Sequence, residues 1–459
     1  MRIDGPMLRM LRDAQHRVRL HMPGHKGRLP LEWMDSALDT TEIAPTDDLF
    51  SPCSGIARAQ ELYAAACGAA QTIFLSGGST SGMLAMLLYA AAPDGKVIMP
   101  RTAHHSAISA SVWGGLEPVF VAPRLTRDGA LYYTTDDVLS AMERTPDARA
   151  VLITRPDYYG VCGALEPIAR RCRRTGMLLC VDEAHGAHWP WQETPQSAGR
   201  LGADLWIQSA HKTLPTLTGG AVLHAAAGID TGRLLRTLRM VHTSSPSFLI
   251  LQTLDGARAM MDAQGSALLS EMRDRILAFW KTVKAAGYRD AHDAWAADGL
   301  ECDPSRIVVD CAARRLTGWQ AQEALTALGI DAEMADDRRL VFIPSIMDEA
   351  EWLEQAALAL AQIPSGNAVF TDAPSLVAMP ERAMCLREAA LRPQEKVALH
   401  RAAGRIAAVS AGLYPPGVPL VTPGEVVGQE TVDALEQAPP RWRFGLAGEN
   451  LFCVRADRI

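Results

Sequence analysis

Two residues of opposite charge stand at the ends of two successive apolar runs. Met177-Leu-Leu-Cys-Val181 leads into Asp182-Glu-Ala-His-Gly-Ala-His188, and Asp204-Leu-Trp-Ile207 leads into Gln-Ser-Ala-His-Lys212. Runs this short and apolar predict buried strands, and in an open α/β sheet ligands bind beyond the carboxyl ends of the strands. A lysine and a carboxylate there can work on opposite ends of one pyridine aldehyde. The amine forms an imine with the aldehyde, while the carboxylate keeps the ring nitrogen protonated. A protonated ring accepts the electron pair left when a bond to an amino acid's Cα breaks. Singly, Lys212 reads as a solvated surface lysine and Asp182 as a helix N-cap. Their joint placement is what points to chemistry.

A third group strengthens the pair. Ser76-Gly-Gly-Ser-Thr-Ser-Gly82 lies between a predicted strand and a predicted helix. Its glycines let backbone approach an anion, the helix start offers free N–H groups, and Ser79 and Thr80 add hydroxyl donors for a phosphate. It matches neither a dinucleotide fingerprint nor a Walker A loop. His104 and His105 follow the run Lys96–Met99, which brings them to the same rim, where a flat ring can stack on a cofactor face. His185 and His188, three apart behind two carboxylates, allow a metal site, but no third ligand stands at a recognisable spacing. No GxSxG elbow is present, which leaves a hydrolase triad unsupported.

Positioning these residues takes alternating helices and strands. From about Ile56 the chain reads as helix (Ala57–Cys67), strand (Thr72–Leu75), helix (Thr80–Ala92) and strand (Lys96–Met99). Strands then follow at Val119–Val121, Ala150–Thr154, Met177–Val181, Asp204–Ile207 and Gly219–His224, a pattern that predicts a doubly wound, mainly parallel sheet. A long helix is expected over Leu249–Ala285, then a smaller α+β unit with strands near Arg306–Val309 and Leu340–Ile343. Tyr414–Glu425 is too proline-rich for helix and is expected to be an ordered loop. The division expected is an N-terminal arm at 1–45, a large domain at 46–270 and a small C-terminal domain at 271–459.

The 459 residues allow two or three packed units, and a net charge of −7 argues against a nucleic-acid protein. Nine scattered cysteines without a CxxC pair suit reduced thiols in a cytoplasm. The charged N-terminus does not read as a secretory signal, and the longest apolar stretch, Met83–Ala92, is too short to span a bilayer.

Taken in order, several segments resemble the ornithine/lysine/arginine decarboxylases, fold type I enzymes dependent on pyridoxal 5'-phosphate (PLP). They are His21-Met-Pro-Gly-His-Lys-Gly27, Thr41-Glu-Ile-Ala-Pro-Thr-Asp-Asp-Leu49, Phe74–Gly82 and Pro156-Asp-Tyr-Tyr-Gly160, then Asp182–His188, Ser209-Ala-His-Lys212, Tyr414-Pro-Pro-Gly-Val-Pro419 and Pro423-Gly-Glu425. The resemblance implies a Schiff base on Lys212, pairing of the ring nitrogen by Asp182 and stacking by His104. It implies phosphate contacts from Ser79, Thr80, Ser209 and His211, and His185 against the cofactor. His211 or Lys212 would reprotonate Cα. It implies an aminotransferase-like α/β large domain, a homodimer or dimer-based assembly with interface active sites, and carbon dioxide and an amine as products, arginine being favoured over lysine or ornithine. Glu425 is the candidate ligand for the substrate's distal cation. The large domain is expected to stand without a receiver-like wing domain before it, so the chain resembles the short form.

Two positions depart from the family pattern. Asp157 replaces a usual threonine, which suggests an extra carboxylate for a cationic side chain, and Gly163-Ala164 replaces a small-polar/Asp pair. Competing readings are an aminotransferase or Cβ lyase, which would use the same lysine and aspartate, or an inactive PLP-binding partner. A metal hydrolase built on His185 and His188 is a further alternative.

Overall fold

A computed structural model describes residues 17–43, 46–370, 378–414 and 417–455. Much of the expected arm, together with Ala44 and Pro45 of one motif and Pro415 and Pro416 of another, lies outside the described residues.

The chain alternates as its periodicity predicts. Helix α1 (Gly55–Cys67) precedes strand β1 (Gln71–Leu75), helix α2 (Gly78–Ala91), strand β2 (Lys96–Pro100), helix α3 (His105–Gly114) and strand β3 (Glu117–Val121). Strands β4 (Ala150–Thr154), β5 (Leu178–Asp182), β6 (Leu205–Gln208) and β7 (Ala221–Ala225) follow. Together they form a seven-stranded sheet in the order β1-β7-β6-β5-β4-β2-β3. Only β7 runs antiparallel to its neighbours. Parallel pairing of β6 with β5 and of β5 with β4 and then β2 aligns their carboxyl ends.

Side chains alternate across this sheet because the strand period is two. Leu205, Ile207, Cys180 and Leu152 pack on the face covered by α2 and α3. Trp206, Val181, Leu179 and Ile153 pack on the opposite face, in a core shared with helix α4 (Phe248–Ala285). Helix α2 lies so close to the sheet that a Cβ on Gly82 would sit 2.0 Å from Cδ1 of Ile207 and 2.7 Å from Cδ1 of Leu75. A side chain there would force Ile207 and Leu75 to move. Helix α1 is started by a remote acid: Asp47 accepts from the backbone N–H groups of Cys53, Ser54 and Ile56 at 2.9, 3.0 and 3.0 Å. Burial acts to raise the Asp47 carboxyl, but these backbone donors outweigh it and hold the group well below the usual carboxylate range.

The expected 270/271 division falls inside the 38-residue α4. A four-stranded antiparallel sheet follows, with Arg289–Asp290, Ile307–Asp310, Arg339–Phe342 and Met334–Ala335 in that order. Residues 378–455 add two three-stranded sheets and a separate small core that includes Leu399, Ala407 and Leu451. Here the expected loop is partly strand: Val418–Val421 pairs with Ala411–Leu413. It is the outer strand of its sheet, where a proline's missing donor is tolerated.

The arm is tied in by its own backbone. Val18–Leu20 pairs in parallel with Ile330–Ala332, and the Gly24 N–H donates to the His211 carbonyl at 2.7 Å. A Cβ on Gly24 would lie 2.8 Å from the Thr213 carbonyl carbon, so the Met-Pro-Gly glycine allows the arm to press on the turn that carries Lys212. Lys26 is buried and donates to the carbonyls of His21 and Ile343 at 2.6 and 2.8 Å.

Candidate active site

Strand β6 ends in a single helical turn, Ala210–Thr213, that carries His211 and Lys212. Nζ of Lys212 lies 3.0 Å from Nε2 of His185. Burial lowers the Lys212 amine from its ordinary value; Asp182 and Glu333 oppose that and Arg306 adds to it. The end of β5 presents Asp182, a buried side chain whose Oδ1 accepts from the Ala184 N–H at 3.1 Å. Burial raises its carboxyl, and Lys212 works in the other direction. A buried lysine with a lowered amine thus stands at a strand end neighbouring the one that carries a buried carboxylate.

His104 caps α3 by accepting from the Ser106 backbone, and its Nδ1 also contacts the Ser106 hydroxyl at 2.8 Å. Burial, with His105 and Lys212 nearby, pushes its imidazole down to about 3. The ring is neutral at physiological pH, as a stacking partner for a cationic pyridine should be.

The anion cradle forms where β1 meets α2 and β6 meets its turn. Gly78 has φ +71°, a conformation that glycine adopts without strain. Ser209 donates to the Ser79 hydroxyl oxygen at 2.7 Å, while the buried Ser76 hydroxyl has no hydrogen-bond partner within the chain. An orphaned hydroxyl just before a 14-residue helix, with the Ser79–Ser209 hydroxyl pair in its first turn, is a donor set suited to a phosphate. Thr80, in the same turn, is exposed. His211 has Nδ1 3.0 Å from the Gly220 carbonyl, so this nitrogen carries the proton. Burial lowers the His211 imidazole.

Two expected substrate ligands are engaged elsewhere. Glu425 is buried and receives Arg101 NH1 and NH2 at 2.6 and 2.7 Å, one on each oxygen, and the Thr422 N–H at 2.7 Å. Arg101 also donates to the Pro419 carbonyl at 3.0 Å. A carboxylate gripped on both oxygens by an arginine of its own chain is not a free ligand for the substrate's distal cation; it ties the C-terminal unit to the end of β2. Asp157 closes its own turn, with Oδ1 accepting from Tyr159 and Val161 at 3.0 and 2.8 Å. Burial pushes its carboxyl up to about 6, against those donors and Arg306. His185 and His188 diverge, since Nε2 of His188 contacts the Ser305 hydroxyl at 3.1 Å while His185 meets Lys212.

Three contributors were missed at the sequence level. Buried Arg306 reaches Nδ1 of His185 at 3.0 Å. Tyr158 sets its ring edge-on to His185, centroids 5.2 Å apart, and donates to Glu333 at 2.5 Å. Glu333 in turn accepts from the Met22 N–H at 2.8 Å. A readable signal existed for Arg306, a charged residue immediately before the apolar run Ile307-Val-Val309. Glu333 carried none.

A lysine opposite a carboxylate at the strand ends of this sheet, with an anion cradle at the next helix start, defines a fold type I PLP enzyme. The chain belongs to the Orn/Lys/Arg decarboxylases: the family's major-domain model matches residues 34–337 and its C-terminal-domain model residues 365–438. It is 30% identical to an arginine decarboxylase of Bacillus subtilis, over 90% of this chain and 89% of the relative. A lysine decarboxylase of Pseudomonas aeruginosa is 21% identical over 92% and 74% of the two chains. Among solved structures, lysine decarboxylase A from Pseudomonas aeruginosa matches with a TM-score of 0.74 at 17% identity, covering 94% of this chain and 77% of that one. An alanine–glyoxylate aminotransferase from Nostoc matches at 0.56 and 16%, over 75% and 94%, a likeness of fold. The protein is a PLP-dependent decarboxylase of basic amino acids.

Proposed function

We propose that the substrate is L-arginine and the products are carbon dioxide and agmatine, a polyamine precursor. The observation that carries this choice is the level of likeness: 30% identity across nine-tenths of both chains to an arginine decarboxylase, against 21% to a lysine decarboxylase.

When bound, PLP supplies an aldehyde that links covalently to amines and a pyridinium that accepts an electron pair. Lys212 would hold the aldehyde carbon, and Asp182 would keep the proton on the ring nitrogen. His104 would pack on the ring face. Ser76, Ser79 and Ser209 would take the phosphate with the first N–H groups of α2, and Thr80 and His211 stand in the same two turns. The strand ends thereby fix which substrate bond is weakened. The proton that replaces the lost carboxylate on Cα has two candidate sources. His211 uses its Nδ1 proton on the Gly220 carbonyl, and burial disfavours a second proton on Nε2. Nζ of Lys212 is the other candidate, and burial lowers its amine as well.

We further propose a homodimer working in the cytoplasm. Trp113 and Met240 are 60% and 68% exposed in the single chain, as residues covered by a partner would be. All nine cysteines are unpaired, which fits a reducing compartment. Among the described residues no helix is long and apolar enough to cross a membrane.

The test is carbon dioxide release from L-arginine, L-lysine and L-ornithine by the PLP-loaded protein, compared with Lys212→Ala. We expect kcat/KM highest for arginine and release lost in the variant. Faster release from lysine or ornithine refutes the substrate, and full activity in Lys212→Ala refutes the site.

A further inference from the structure

Two contacts of 3.0 Å meet on opposite nitrogens of one imidazole. Arg306 reaches Nδ1 of His185, and Nε2 of His185 reaches Nζ of Lys212. A guanidinium has donors and no acceptor, so Nδ1 must accept and carries no proton. A neutral imidazole bare at Nδ1 holds its proton on Nε2, and the second contact then runs from Nε2–H toward Nζ. An ammonium group cannot accept that hydrogen bond, whereas a free amine can. With a neutral ring, both contacts are hydrogen bonds in one arrangement only: Arg306 charged, His185 protonated on Nε2, and Lys212 unprotonated with its lone pair toward the ring. We propose that Arg306 is a positioning residue that fixes the tautomer of His185 and, through it, keeps Lys212 a free amine ready to take the cofactor.

The surroundings agree. Burial, then Lys212 and Arg306, hold the His185 imidazole well below its ordinary value, so the ring stays neutral. The charged and titratable groups facing Lys212 are Asp182 from β5, Glu333, Arg306 and the imidazoles of His104, His185 and His211. Asp182 and Glu333 favour the ammonium; burial and Arg306 oppose it. Arg306 is itself only 3% exposed, with Asp303 and Glu333 as nearby counter-charges. Tyr158, fixed by its hydrogen bond to Glu333, stands edge-on to the His185 ring and restrains its rotation.

The inference rests on Lys212 being the cofactor lysine, and its test does not read decarboxylation. In the full-length protein, with PLP and after its removal, ¹⁵N-histidine NMR reads the proton position, the His185 signals being those absent from His185→Gln. We expect a bare Nδ1 and a protonated Nε2; a proton on Nδ1 overturns the proposal. The second readout is the pH dependence of Lys212 reductive methylation in PLP-free protein, followed by mass spectrometry. Arg306→Met should slow labelling at neutral pH by about tenfold, the scale of one lost charge-assisted hydrogen bond. Arg306→Lys, which also offers only donors, should restore most of the rate. Unchanged labelling in Arg306→Met overturns the proposal; if that variant does not fold, the wild-type spectrum still decides.

Discussion

Glu425→Gln separates two roles for one carboxylate. In the structure both Glu425 oxygens receive Arg101, at 2.6 and 2.7 Å, and the two side chains are 2% and 3% exposed. Arg382 lies 3.9 Å away, and Arg101 stacks over Phe120 with its guanidinium carbon 4.6 Å from the ring centroid. The amide keeps the shape but removes the charge, leaving two guanidinium groups near each other without their shared counter-ion. Breaking a buried pair from one side costs about 3–5 kcal/mol. That is roughly two to nearly four powers of ten in the folding equilibrium. Urea unfolding of PLP-loaded protein reads it as a lower midpoint at unchanged slope. Arg101→Met combined with Glu425→Met should lose less than either single change, because no unpaired charge remains between them. KM for the substrate should stay near the wild-type value in Glu425→Gln, in Arg101→Met and in the double variant. A loss below about 1 kcal/mol together with a large KM increase in both variants that lack the Glu425 carboxylate, and none in Arg101→Met, would refute the structural role and return Glu425 to the substrate.

Two further changes test how the frame is held. Gly82→Ala places a methyl 2.0 Å from Cδ1 of Ile207 and should cost about 1–3 kcal/mol by thermal or urea unfolding; a neutral result would mean that α2 can move off the sheet. Asp47→Ala removes the acceptor for the start of α1 and should cost about 1–2 kcal/mol at pH 7. The folded Asp47 carboxyl is depressed, so its contribution is complete above the unfolded value of about 3.9 and fades as pH falls below it. The gap between variant and wild type should therefore narrow in acid, and a gap that does not vary between pH 7 and pH 3 counts against the carboxylate.

Most of the framework was legible because it obeys local rules. The apolar runs ending at Asp182 and before Lys212 name two adjacent parallel strands, and adjacency of their ends brings lysine and carboxylate together. The hydroxyls of Ser79 and Ser209 meet although 130 positions separate them, since each sits in the turn after its strand. What the sequence could not show was pairing between segments that share no element. Glu425 looked available because its partner, Arg101, is 324 positions away. Asp157 looked like a spare charge because its own turn, whose backbone donors it accepts, has to be built before they can be counted. Arg306 and Glu333 gained their place from strands of the second sheet or beside them, whose sharing of a core with the first no periodicity encodes.

The arm sets an order of events during synthesis. Lys26 donates to the carbonyl of Ile343, 317 positions later, and the strand Val18–Leu20 finds its partner only at Ile330–Ala332. At roughly 5–20 residues per second the ribosome takes about 15–60 s to supply that second half. Through that interval the strand Val18–Leu20 lacks its partner and Lys26 lacks the Ile343 carbonyl, so its charge stays in water. A chain stopped short of Ile343 therefore carries the lysine, the aspartate and the phosphate turn, yet lacks the carbonyl that anchors Lys26 and, through it, the arm beside them. The active site is completed by the earliest described residues, among the last to find their places.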